Sequence, residues 1–139
     1  MSKWSHLPNA AHIDRVLDSV KASPKIWADA WNSIRKSAYN AAWNAAYNAA
    51  WNAAYNAVIN AAYNAAWNAA RNTASYIAKD AAYYAALGAI TALFAYDDAA
   101  KYLDLPLDQL KMLYALSEHP AALLLQPAVL AFSMERELA

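Results

Sequence analysis

Over residues 39–72 the chain repeats one tetrapeptide, aromatic-Asn-Ala-Ala. The first slot holds Tyr39, Trp43, Tyr47, Trp51, Tyr55, Ile59, Tyr63, Trp67 and Arg71, and an Asn follows each of them. The same register reaches back through Arg35 and Trp31 to Trp27. An α-helix turns once in 3.6 residues, so a repeat of four advances each slot by about 40° and winds the aromatic stripe around the helix in a right-handed sense. Two folds satisfy such a stripe. The repeat is cut into shorter helices, each with one buried face, or one long helix is wrapped by neighbours on successive sides. Ala is the strongest helix former, and nothing inside 39–72 breaks a helix. A single helix about 50 Å long is therefore the expectation.

The spacing also builds a ridge. Residues at i and i+4 touch along a row, so the aromatics form a ridge beside an Ala-Ala groove, and such ridges pack into like grooves at a crossing angle near −50°. Two copies of the chain can mate in this way, and self-complementary surfaces favour symmetric homo-oligomers. The Asn row either pairs amides across such contacts or forms the solvated edge of the helix.

Charge sharpens the point. The chain has 11 basic and 11 acidic residues and no net charge, with no Asp, Glu, Lys or Arg between Lys36 and Arg71. A long uncharged segment dense in Trp and Tyr has to be covered, by the chain's other helices or by other copies of itself. The even balance argues against a partner such as duplex nucleic acid, which is bound through a basic patch. The absence of cysteine excludes disulfides and thiolate metal sites. The first residues lack the apolar core of a signal peptide, and the most apolar stretch, 121–132, is too short to span a bilayer, so no membrane partner is expected.

Around the repeat, Ile13, Val16, Leu17 and Val20 form the stripe of an amphipathic helix, with Asp14, Arg15, Asp18 and Lys21 opposite and Asn9 placed to cap it. Ser23-Pro24 starts a second helix. Helix is expected through most of 24–101, with interruptions at Arg35-Lys36-Ser37, at residues 72–75 and at Gly88. Beyond Gly88, Ile90, Leu93, Phe94 and Tyr96 read as core. A short helix after Leu105-Pro106 carries Leu107, Leu110, Leu113, Tyr114 and Leu116 as buried positions, and a last apolar helix follows the turn Glu118-His119-Pro120. No segment alternates as a strand does.

Catalytic constellations are lacking. Asp97-Asp98 is the one adjacent acidic pair, and Asp97 with Lys101 has the spacing of a helical ion pair. His6, His12 and His119 do not have metal-ligand spacing, and there is no nucleophile triad or glycine-rich phosphate loop. An enzyme is not expected, nor a cofactor. A better lead is the combination of aromatic faces, Asn amides and terminal arginines in one register. Trp43, Trp51 and Trp67 offer stacking surfaces, Asn68 and Asn72 offer hydrogen bonds to a planar ring, and Arg35 and Arg71 offer a clamp for phosphate. These seven residues are the candidate site for a small nucleotide-like ligand.

The blocks Asn9-Ala10-Ala11-His12-Ile13-Asp14-Arg15-Val16-Leu17, the Trp/Tyr-Asn-Ala-Ala repeats, Ala95-Tyr96-Asp97-Asp98 and His119-Pro120-Ala121-Ala122-Leu123-Leu124-Leu125 resemble a group of small uncharacterised proteins of tailed bacteriophages and prophages. That resemblance implies expression in a bacterial cytoplasm and a role in host takeover or counter-defence. The expected protein is all-α and a single helical domain over 1–139. It comprises an N-terminal helix within 1–23, a long Ala-rich repeat helix region over 24–87 and a C-terminal helical cluster over 88–139. The expected role is a non-enzymatic homo-oligomeric binding protein that sequesters a nucleotide-like ligand or a host protein. The alternative is a structural scaffold or virion-associated assembly protein.

Overall fold

The structure is a computed structural model and describes residues 2–34, 37–53, 56–73 and 75–138. Among them the fold is all-α, with no strand. The helices are α1 (Ala10–Ala22), α2 (Pro24–Ser33), α3 (Tyr39–Ala53), α4 (Asn56–Ala69), α5 (Tyr76–Ala95), α6 (Leu107–Ser117), α7 (Pro120–Leu124) and α8 (Gln126–Leu138). Short 3-10 segments cover Ala70–Asn72 and Ala99–Asp104.

Helix α5 is the axis of the molecule. It is rich in small apolar residues all round, burying Ala81, Ala82, Ala85, Ala86, Gly88, Ala89 and Ala92, and it packs against α1, α2, α3, α4, α7 and α8. Its second half, from Ala85 to Phe94, is covered on every side and carries no amphipathic stripe, while Tyr76, Ile77, Asp80 and Tyr84 of the first half are exposed. Gly88 does not interrupt it, so residues 87 and 88 share one helix. Ser75 caps its start by accepting the Ala78 N–H at 3.2 Å, and α2 starts at Pro24 after Ser23.

The expectation of one unbroken helix over 39–72 fails. Tyr47 in α3 and Tyr63 in α4 have ring centroids 6.5 Å apart and nearly parallel planes. Sixteen residues of straight helix would separate them by about 24 Å. The repeat is folded back on itself, each piece short enough that its drifting stripe still lies on one side. Apart from Tyr39, its buried line is not aromatic. In α3 the second alanines Ala42, Ala46 and Ala50 are buried, and in α4 Ala62, Ala66 and Ala69 join Ile59. Relative to the aromatic slot, the second Ala lies about 60° to one side and the Asn about 100° to the other. Burying the second Ala on α5 therefore leaves Trp43, Tyr47, Tyr63 and Trp67 half-buried on the flank and turns Asn out. Asn40, Asn44, Asn48, Asn52, Asn60, Asn64 and Asn68 are all exposed. The expected mating of ridge and groove between two copies is replaced by an alanine-on-alanine contact within one chain.

The N-terminal stripe is as read: Ile13, Val16 and Val20 are buried and Asp14, Arg15, Asp18 and Lys21 exposed. Asn9 does something else. Its side chain does not cap α1; its Nδ2 donates to the carbonyls of Leu93 (2.9 Å) and Tyr96 (3.0 Å) at the end of α5. The Leu93 carbonyl has no helical partner at the helix end, the Tyr96 carbonyl also accepts the Ala99 N–H at 3.0 Å, and Asn9 is itself buried. Asn9→Ala should cost about 1–2 kcal/mol in chemical denaturation, because it leaves the buried Leu93 carbonyl unpaired. No change in midpoint would show that water replaces the amide.

In the C-terminal part Leu110 is buried, Leu107, Leu113 and Tyr114 are half-buried, and Leu116, expected in the core, is 79% exposed. Helix α6 touches α7 and α8 along one edge only, which leaves Leu116 and Met112 outside. Lys101 pairs with Asp98 at 3.3 Å and not with Asp97, because the segment is 3-10 and brings i and i+3 together. His119 caps α7, its Nδ1 accepting the Ala121 N–H at 3.1 Å, and its ring meets Tyr96 edge-on at 4.6 Å.

Candidate functional site

The corner between α4 and α5 gathers most of the polar chemistry of the repeat. Helix α4 ends at Ala69, the chain passes through one 3-10 turn, and Thr73 donates to the Ala70 carbonyl at 3.2 Å as the backbone becomes extended. Ser75 then starts α5. This tight reversal sets Arg71, Thr73, Ser75, Tyr76 and Lys79 around one recess of about 240 Å³. Arg71 is exposed and its Nη2 donates to the Asn68 Oδ1 at 3.2 Å. The Lys79 ammonium sits 4.0 Å over the Trp67 ring, whose edge contact with Tyr83 has centroids 5.2 Å apart. Among the described residues neither Arg71 nor Lys79 takes part in an ion pair. Two cations, two hydroxyls and the positive end of a 20-residue helix dipole thus converge. Such a set attracts an anion.

Of the seven expected site residues, Trp67, Asn68, Arg71 and Asn72 fall at this corner. Asn72 is exposed in the 3-10 turn and does not line the recess. Trp67 is not free to stack on a ligand across both faces, since Lys79 covers one. Trp43 is elsewhere, stacked on Tyr47 with centroids 4.9 Å apart. Trp51 stands 50% exposed near the end of α3, with no part in either cluster. Arg35 lies outside the described residues, as does Tyr55 of the repeat. Of the five residues that line the recess, sequence reasoning named Arg71 for a site and missed Thr73, Ser75, Tyr76 and Lys79. A Ser N-cap with Lys four residues on was the available signal.

The interior is held by side-chain hydrogen bonds. The Thr91 hydroxyl donates to the Leu87 carbonyl and lies 2.6 Å from the Tyr63 hydroxyl, so Tyr63 must be the donor to Thr91. The Trp43 Nε1 is buried and makes no hydrogen bond of good geometry, yet it faces the Tyr63 oxygen closely enough to favour its charge slightly. Burial outweighs that and pushes Tyr63 well above the ordinary tyrosine range. Tyr39 is raised further, by burial first and the nearby Tyr63 second. Burial also raises Tyr83 and Tyr96. All four stay neutral at physiological pH and none is poised as a base. No cluster of three or more His, Asp or Glu that would hold a metal occurs among the described residues.

No family model, no curated protein and no solved structure matches this chain. Among the described residues no helix is long and apolar enough to cross a membrane.

Proposed function

We propose that the protein is a non-enzymatic binding protein that holds a nucleotide-like anion at the α4–α5 corner. The observation that carries this reading is the convergence of Arg71 and Lys79, without acidic partners among the described residues, on a recess that also holds Thr73 and Ser75. A phosphate fits between the two cations, with the Ser75 hydroxyl as a further donor, since the Thr73 hydroxyl already donates to the Ala70 carbonyl. The recess is smaller than the roughly 300 Å³ at which small-molecule sites usually begin. It takes the charged group alone, and Tyr76, whose ring is 80% exposed, supplies a surface for the attached base. A second copy of the chain completes the enclosure in a homo-oligomer. Together with the resemblance to phage and prophage proteins, this suggests a counter-defence or host-takeover factor that removes a signalling nucleotide in a bacterial cytoplasm. The scaffold reading draws on a different feature, the exposed Met112 and Leu116 on α6, which offer an apolar contact to another protein.

Thermal shift with cyclic mononucleotides, cyclic dinucleotides, ADP-ribose and pyrophosphate separates the two. A ligand at a hundred times its dissociation constant adds about 2.7 kcal/mol to the native state, a shift of several degrees. Arg71→Ala and Lys79→Ala should each abolish most of that shift, with the sedimenting mass unchanged and above 15.2 kDa. Absence of a shift with every ligand would defeat the nucleotide reading, and a 15.2 kDa monomer would defeat the oligomer.

A further inference from the structure

Between α8 and the link from the 3-10 segment Ala99–Asp104 to α6 lies a recess of about 360 Å³, with Arg15 of α1 also in its lining. We propose that it is a binding site for a free apolar α-amino acid, its carboxylate held by Arg15 and Arg136, its ammonium by Asp104 and its side chain by the apolar floor. The recess shares no residue with the anion corner.

The sequence builds the recess through one proline. Pro106 keeps the residue before it out of the helical region, and Leu105 and Pro106 are both extended, with ψ of 146° and 149°. The 3-10 segment and α6 both touch α8, so the extended link between them leaves a gap against that helix. The floor of the gap is apolar. Leu103 and Val129 are buried, and Leu105 and Leu130 are half-buried. The charged groups, Arg15, Asp104 and Arg136, are exposed and stand at the rim.

These charges share one recess without pairing. Among the described residues neither arginine forms an ion pair, so both stand more than 4.0 Å from the Asp104 carboxylate. Glu135, beside them on α8, instead accepts from the Ser19 and Ser23 hydroxyls. The Arg15 guanidinium lies 4.1 Å over the Phe132 ring, which holds it against α8 and leaves its N–H edge free for a bidentate carboxylate. Ser133, one helical turn before Arg136 on α8, lines the same recess and adds a hydroxyl donor. A simple anion would satisfy the arginines and leave Asp104 opposed to it. A simple hydrophobe would desolvate three charges without partners. A zwitterion with an apolar side chain matches every group. The volume, near the lower end for small-molecule sites, suits a single amino acid.

Titration calorimetry of the full chain with free leucine and phenylalanine tests the site. N-acetylleucine lacks the ammonium, leucinamide lacks the carboxylate, and free glycine lacks the side chain. At least one of the two apolar amino acids should bind saturably, and each of the three controls about tenfold more weakly or not at all. Arg136→Ala should weaken leucine about tenfold by removing a charge-assisted contact. Asp104→Asn should erase the preference for leucine over N-acetylleucine, a change that a merely structural role would not produce. Both residues are exposed, and circular dichroism checks that each variant is folded. Arg71→Ala should leave leucine binding unchanged, so failure here and failure of anion binding at the corner are told apart. The proposal is overturned if neither amino acid saturates, or if N-acetylleucine binds as tightly as leucine, which would make this a plain carboxylate or peptide C-terminus site. A preference for leucine that survives Asp104→Asn overturns it too.

Discussion

Trp27→Ala will lower the unfolding free energy by about 3–5 kcal/mol, while Trp51→Ala, in the same four-residue register, will change it by less than about 1 kcal/mol. Trp27 has no exposed surface. Its ring meets Phe132 of α8 edge-on, with centroids 5.7 Å apart and planes at 85°. Its Nε1 donates to the buried Ser19 hydroxyl at 2.8 Å, and Ser19 passes a hydrogen bond to the Glu135 carboxylate. Truncation opens a cavity between α2 and α8 and removes a donor from that chain. Against a total stability of about 5–15 kcal/mol this is a large share. Trp51 is half in water, and deleting it leaves no enclosed void. Urea denaturation of both variants at two protein concentrations reads the contrast. A cost at Trp51 that matches Trp27 at high concentration and fades on dilution would place Trp51 in an interface between copies. Equal costs at every concentration would mean that the register alone, and not the neighbours, decides burial.

That contrast explains what the sequence could and could not convey. Local chemistry was readable. Pro24 after Ser23 starts α2, the break before Ser75 starts α5, and the spacing of Ile13, Val16 and Val20 gives the buried face of α1. The helical class followed from alanine and the scarcity of glycine and proline. Path and burial within the repeat were not readable, because each tetrapeptide is nearly identical to the next. Ala41, which is exposed, lies about 160° from the aromatic stripe and Ala42, which is buried, about 60° from it; that register is local, but which side faces inward is set by the small-residue surface of α5. The same surface made the aromatic row a flank where a ridge between copies was expected. Much of the uncharged segment is thereby covered within one chain, and the case for an oligomer narrows to Trp51, Tyr76, Ile77 and the outer face of α6.

Of the five residues lining the candidate site, Arg71 alone was legible in the sequence as a site residue. Trp67, Asn68 and Arg71 are close in sequence and in one register, so their meeting at one corner needed only a continuous turn. Lys79 and Tyr76 join them across a chain reversal. Trp43 was read as part of that set, but the fold-back carries it to a cleft with Trp31 and Tyr84. Asn9 was read as a local cap and instead reaches 84 residues along the chain to Leu93, a distance over which periodicity says nothing.

Gly88→Ala, which helix propensity alone would score as stabilising by about 0.5–1 kcal/mol, will instead destabilise the protein. The added methyl would coincide with the Tyr39 hydroxyl and lie 2.8 Å from its Cζ. Tyr39 has little room to withdraw, with Trp31 against its ring and the Tyr84 carbonyl on its hydroxyl. Overpacking a fixed ring costs about 1–3 kcal/mol, and the constraint from several sides places this site towards the upper end. Tyr39→Phe alone loses one hydrogen bond, about 0.5–1.5 kcal/mol. In the Gly88→Ala background the same change should be less harmful or even favourable, because it removes the oxygen that the methyl strikes. Rescue will be partial, since the ring carbon still lies too close. The coupling from a double-mutant cycle in urea should therefore be stabilising and of order 0.5–3 kcal/mol, the range for residues in contact. A stabilised Gly88→Ala variant, or additive single changes, would show that Tyr39 does not occupy the space above Gly88.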